Sequence, residues 1–167
     1  MKETKRAKGM RKVRRAKMVM EMKKDDIGII NKLKQKTKTY HARVGGKTIT
    51  KRLITRMAVK NIALESSKIN TLPNRFWYTL RNLGLRAESP YRVYSKKIPC
   101  GRWKVLLTLP QAYVILKIIE KYVSNPKSFR NIRRELQQFQ DTFWDMDDEE
   151  FLTFFEERTE SNGRGKS

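Results

Sequence analysis

Between Pro110 and Val123 the chain carries Ala112, Tyr113, Val114, Ile115, Leu116, Ile118, Ile119, Tyr122 and Val123. As a helix this segment is apolar on most sides, and a helix with no polar face must be buried nearly all round. It therefore either plugs the core of its own domain or pairs with a copy of itself, and the rest of the fold must be built to cover it. The apolar run from Val105 to Ile119 is about 15 residues long and is broken by Pro110 and Lys117, short of the ~18 that a membrane span needs.

The segments around this helix read mostly as further helices. Asn125-Pro126 cap the next one, in which Phe129, Ile132, Leu136, Phe139 and Phe143 recur at spacings of three and four, with Arg130, Arg133 and Arg134 on its first half. Asp147 followed by Glu150 resembles a capping box with Asp in place of Ser. It opens a last helix through Phe151, Leu152, Phe154 and Phe155. Near the other end, Asp25-Asp26 suit a helix start. Ile27, Ile30 and Leu33 then give Ile27–Lys36 a modest apolar stripe, weakened by Gly28. Residues 39–44 alternate as a short strand and stop at Gly45-Gly46.

Thr48–Ser66 reads as an amphipathic helix. Ile54, Met57, Ala58 and Ile62 define one face, and Lys51, Arg52, Arg56 and Lys60 occupy much of the other. Pro73 starts a short helix to Leu83, since Pro suits a first turn, and Gly84 fits the left-handed residue that ends many helices. Phe76, Trp77, Leu80 and Leu83 form its apolar side. Arg75, Tyr78, Arg81 and Asn82 point outward, and these side-chain types reach base edges and phosphates. Tyr91–Tyr94 and Trp103–Leu109 then alternate as two strands, with Lys96, Lys97 and Arg102 in the turn around Pro99 and Gly101. A hairpin with such a basic tip can follow a duplex backbone.

Charge says what kind of partner this chain needs. Its 39 Lys and Arg against 17 Asp and Glu give a formal net charge of +22. Self-repulsion of that size favours a polyanionic partner, with nucleic acid first and an anionic membrane surface second. The charge is split. Residues 1–140 carry 36 basic and 8 acidic side chains, whereas residues 141–160 carry 9 acids and one Arg. Residues 1–24 hold eleven Lys or Arg and read as a flexible arm that neutralises backbone phosphates, chiefly through Arg11, Lys12, Arg14 and Arg15. Residues 161–167 read as a flexible tail. The acidic stretch suits a basic protein partner or the chain's own arm.

Several chemistries are excluded by count. Cys100 is the only cysteine and His41 the only histidine, so no internal disulfide and no Cys- or His-rich metal site can form. No cofactor is expected. The Gly-Gly-Lys-Thr at 45–48 fails as a phosphate-binding loop, because the first glycine of that motif would fall at His41. The acids between residues 141 and 150 could hold a magnesium ion, as in nucleases, but acids are expected at a helix start in any case. The N-terminus lacks the apolar core of a secretion signal.

The order helix Thr48–Ser66, turn, helix Pro73–Leu83, the Leu83-Gly84-Leu85 step and a basic hairpin resembles the winged-helix variant of the helix-turn-helix. The link from Lys68 to Leu72 is longer than in its tightest versions. The resemblance implies a mainly α fold with a small β-hairpin: a winged-helix-like domain over residues 25–109, followed by C-terminal helices over 110–160. It also implies Pro73–Leu83 in a DNA major groove and a homodimer through residues 110–143. The expected function is that of a DNA-binding regulator or replication accessory factor, not an enzyme. It would work in the cytoplasm or nucleoid of a prokaryote or phage host, or in a nucleus. The alternatives are an RNA-binding or ribosome-associated protein and a metal-dependent nuclease. The expected contacts are Arg75, Tyr78, Arg81, Asn82, Lys96, Lys97 and Arg102, with Lys51, Arg52 and Arg56 from the preceding helix.

Overall fold

A computed structural model describes the backbone of residues 26–95 and 102–164, with side chains from Asp26 to Tyr94 and from Lys104 to Glu156. In chain order the elements are α1 (Asp26–Lys36), β1 (Lys38–Val44), β2 (Lys47–Thr55), α2 (Arg56–Ser66), α3 (Arg75–Asn82), β3 (Arg92–Ser95) and β4 (Arg102–Leu107). There follow α4 (Leu109–Ser124), a 3-10 turn over Pro126–Ile132, α5 (Arg133–Phe143) and α6 (Asp148–Arg164).

The four strands close into an antiparallel barrel in the order β1-β2-β4-β3. Two hairpins form it. β1 pairs along its whole length with β2, from Lys38↔Leu53 to Val44↔Lys47, and β3 pairs with β4 from Arg92↔Val105 to Ser95↔Arg102. Short contacts seal the ends: Ile54↔Leu107 and Thr55↔Leu106 on one side, Arg43↔Arg92 on the other. The first hairpin turns on Gly45 and Gly46, with φ of 54° and 81°. A two-residue turn with both φ positive matches the twist of its strands, and glycine adopts that geometry without Cβ strain.

This sheet overturns the winged-helix-like fold. The hairpin expected as a wing is half of a barrel, and the other half comes from residues expected to be helical. β2 takes the first eight residues of the predicted helix Thr48–Ser66, so Lys51 and Arg52 lie on a strand and only Arg56 starts a helix. Met57, expected on an apolar face, is 66% exposed. The inward residues of α2 are Val59, Ile62 and Ala63. The strand expected over 39–44 is present as β1. α6 runs on to Arg164, so residues 161–164, expected in a tail, belong to it.

Strand alternation divides the apolar side chains between two interiors. Leu53 and Leu106 point into the barrel with Ala42, where Tyr40, Ile49, Tyr91 and Val93 close over them. Their neighbours Ile54 and Leu107 point the other way, into the helical core. That core is centred on α4, whose residues 109–119 are all buried. The chain itself thus covers the helix that had to be covered. Phe139, Phe143, Phe151 and Phe155 ring Tyr113 with centroids 5.3–5.9 Å away, so the aromatic seam of α5 and α6 closes on α4 within one chain.

Polar groups on so deeply buried a helix need partners. Thr108 and Gln111 form a reciprocal capping box, and the Gln111 side-chain amide donates to the Trp144 carbonyl at 3.2 Å. Tyr113 donates to Asp26 at 2.8 Å, and the Lys117 ammonium lies 3.2 Å from the same carboxylate and 3.4 Å from Glu120. Asp26 is therefore the anchor that fixes α1 to α4. Among the described residues no helix is long and apolar enough to cross a membrane.

Candidate nucleic-acid interface

α3 is short, and its ends show what holds it. Phe76 and Leu80 are buried, and Trp77 packs edge-on against Phe76 with centroids 5.0 Å apart. At its C-terminus Gly84 takes a φ of 76°. The Gly84 N–H then bonds to the Arg81 carbonyl at 3.0 Å and the Leu85 N–H to the Leu80 carbonyl at 2.9 Å. This is the Schellman pattern, with its usual apolar contact supplied by buried Leu80 and Leu85. Arg133 Nε donates to the Leu83 carbonyl at 2.8 Å and ties the helix end to α5.

With Phe76 and Leu80 inward, the helical repeat of about 100° per residue spreads Arg81, Tyr78, Asn82 and Arg75 over an adjoining outward arc of roughly 120°. All four are exposed, and Tyr78 is 69% exposed. The four residues singled out on this helix therefore do share one surface.

The Tyr78 and Arg81 side of that arc does not stand free. It forms one wall of a pocket of about 460 Å³, lined by Arg56, Trp77, Tyr78, Arg81 and the segment Leu85–Glu88. Arg56 reaches it from the first residue of α2, where Thr55 accepts a bond from the Ala58 N–H. Its guanidinium carbon lies 4.3 Å from the centre of the Trp77 ring, and Nη1 donates to the Ala87 carbonyl at 3.2 Å. Glu88 is 3.8 Å from Arg56 and 3.3 Å from Arg92. Burial pulls the Arg56 guanidinium below its ordinary value; Glu88 opposes that shift and Arg92 adds to it. An arginine still keeps its charge at neutral pH. Arg86, also in the lining, faces Asp145 at 3.6 Å, with the guanidinium half-exposed and the carboxylate largely solvated.

The other sequence-predicted contacts fall elsewhere. Lys51 lies 5.0 Å from the Tyr91 ring centre, and its ammonium donates to the Tyr91 hydroxyl at 3.2 Å. Arg52 donates to the Thr37 carbonyl at 3.2 Å and to its hydroxyl at 3.0 Å, bracing the end of α1. Both are engaged in holding the barrel. Arg11, Lys12, Arg14, Arg15, Lys96 and Lys97 lie outside the described residues. Arg102 belongs to β4, but its side chain is outside them too.

Sequence reasoning missed Arg86 as a site residue and placed Trp77 only in the apolar side of its helix. The one signal for Arg86 was its position just after the Leu83-Gly84-Leu85 step, where the positive φ of Gly84 ends α3. It also missed the outer face of the first hairpin, where Arg43 pairs across the sheet with Arg92. Like charges directly opposite cost stability, and Glu88 beside Arg92 offsets part of that cost.

Among the described residues the acidic stretch meets the basic body where Asp145 faces Arg86 and where Asp148 lies near Lys51 and Arg52. Burial raises the Asp148 carboxyl above its ordinary value, against the opposing pull of Lys51. Among the described residues no three His, Cys, Asp or Glu side chains stand close enough to hold a metal ion. Compared with known proteins, the chain matches no family model, no curated protein and no solved structure.

Proposed function

We propose that this chain binds nucleic acid through the outward arc of α3 and the pocket beside it, and selects the structure of its target rather than reading a long base sequence. The observation that carries this reading is the arc itself: Arg75, Tyr78, Arg81 and Asn82 are exposed together, and its Tyr78 and Arg81 side borders a pocket that Arg56 and Arg86 also line. The formal charge of +22 supplies the long-range attraction. Hydrogen-bonding and stacking side chains at one place supply the docking point. A role of this kind places the protein with its nucleic acid, in a nucleoid, cytoplasm or nucleus.

Phosphate binding releases condensed counterions, so affinity must fall steeply with salt. The test is fluorescence anisotropy with duplex DNA, single-stranded DNA and structured RNA, from about 50 to 200 mM salt. Arg75→Ala and Arg81→Ala are each expected to flatten the slope of log K against log salt by about 0.7–0.9. Their melting temperatures should stay close to the parent's, because both side chains are exposed. Salt-insensitive binding, or slopes unchanged in both variants, would overturn the proposal. The ranking of the three targets decides between DNA and RNA.

A further inference from the structure

A helix that reads a duplex must stand proud enough to enter a groove about 12 Å wide. α3 is only 8 residues long, and its Tyr78 and Arg81 edge borders a hollow formed with the segment Leu85–Glu88. At about 460 Å³ the hollow is in the range of pockets that hold a small organic group. Its lining combines two aromatic rings, three guanidinium groups, the buried Leu85 and one acid, Glu88. Rings and guanidinium planes that stack on bases, with cations beside them for phosphate, are how proteins hold unpaired nucleotides.

From this geometry we infer that the pocket takes a single unpaired nucleotide, with Tyr78 stacking on its base and Arg81 and Arg86 holding its phosphate. The inference rests on the nucleic-acid reading above and names the feature that α3 selects. Tyr78 is the stacking residue because Arg56 already lies against the Trp77 ring at 4.3 Å, whereas Tyr78 is 69% exposed at the mouth. Arg56 is held by the Ala87 carbonyl and Glu88, so it positions the Trp77 wall. Among the described residues, the ion pair of Arg86 is with the solvated carboxylate of Asp145, a contact that a phosphate can replace. Every base has a π-face, so the site accepts any base and discriminates paired from unpaired.

The experiment uses the full chain and two DNA hairpins carrying 2-aminopurine, one with it paired in the stem and one with it extrahelical, together with RNA counterparts. Binding should quench the extrahelical fluorophore and favour the bulged hairpin by roughly tenfold. Tyr78→Ala should lose both the quenching and the preference, and Tyr78→Phe should restore them, since stacking needs the ring and not the hydroxyl. Arg75→Ala, outside the pocket, should weaken both hairpins alike. Equal affinity for the two hairpins with unchanged fluorescence would overturn the inference and leave the broader reading standing. Absence of binding to either hairpin in DNA and RNA would overturn both. Displacement by polyglutamate as effective as by oligonucleotide would also overturn it, because an acidic peptide would then suffice.

Discussion

Asp26→Asn is the change that most directly tests how α4 is held. The parent carboxylate is 1% exposed, accepts from the Tyr113 hydroxyl at 2.8 Å and faces the Lys117 ammonium at 3.2 Å. Asn has nearly the same shape, so the substitution removes charge without opening a cavity. It leaves Lys117 buried with Glu120 as its remaining counter-charge at 3.4 Å. Breaking a buried pair costs about 3–5 kcal/mol, and the surviving Glu120 contact puts this case at the low end, about 3 kcal/mol. For a chain of this size that is a fall in melting temperature of roughly 6–12 °C. Urea unfolding followed by circular dichroism gives the free energy directly. Adding Lys117→Met to Asp26→Asn removes the orphaned charge and should bring stability back to within about 1 kcal/mol of the parent. Tyr113→Phe, which loses one hydrogen bond to a charged acceptor, should cost about 1.5–3 kcal/mol. An Asp26→Asn variant within about 0.5 kcal/mol of the parent would refute the reasoning, as would single costs that simply add in the double variant.

Gly84→Ala should destabilise by about 1–2 kcal/mol from the left-handed backbone alone, because a Cβ there would meet only Arg133 Nη2, at an ordinary 3.7 Å; an unchanged urea midpoint would refute this. Arg52→Lys, which cannot reproduce the fork onto Thr37, should cost about 1 kcal/mol, while lowering the salt slope of binding far less than Arg81→Ala does. Asp148 gives a pH signature. A carboxyl raised on folding stabilises the fold below its unfolded pKa, and that contribution is lost as pH rises through its folded value. Asp148→Asn should therefore melt at or above the parent's temperature at neutral pH, with the gap closing as pH falls below the ordinary carboxyl value of 3.8; a gap that widens on acidification would count against burial as the dominant cause.

The helical part of the fold was legible because long apolar periodicities have one physical solution. The run from Pro110 to Val123 had to be central, and the Phe129–Phe143 seam had to pack on something. The strand β2 was misread because its last residues serve two patterns at once. Ile54 stands at helical spacing from Ala58 and Ile62, which extends the stripe of α2 backward. The competing signal lay in Thr48, Ile49, Thr50, Ile54 and Thr55, a density of β-branched residues that favours a strand. Gly45-Gly46 pointed the same way, as the turn of a hairpin whose second strand must follow at once. The exposed residues of α3 were legible from helical spacing alone. The pocket was not, because it depends on Arg56 and Arg86, thirty residues apart in sequence, lining one hollow, which local patterns do not encode.

The cations of this surface fall into two sets, and the acids decide which is which. Glu88 is shared by Arg56 and Arg92, Asp145 faces Arg86, and Asp26 and Glu120 hold Lys117. Lys51 and Arg52 are tied to Tyr91 and Thr37, with Asp148 nearby. Among the described residues no ion pair engages Arg75 or Arg81. A chain of +22 could have used its few acids to neutralise the outward arc of α3. Among the described residues, the acids that form these pairs sit instead beside cations that brace the frame or line the pocket. Solvated charges are screened within about 8–10 Å at ordinary salt, whereas partly buried pairs are screened much less. Rising salt must therefore release a polyanion from Arg75 and Arg81 well before it loosens the contacts that place them.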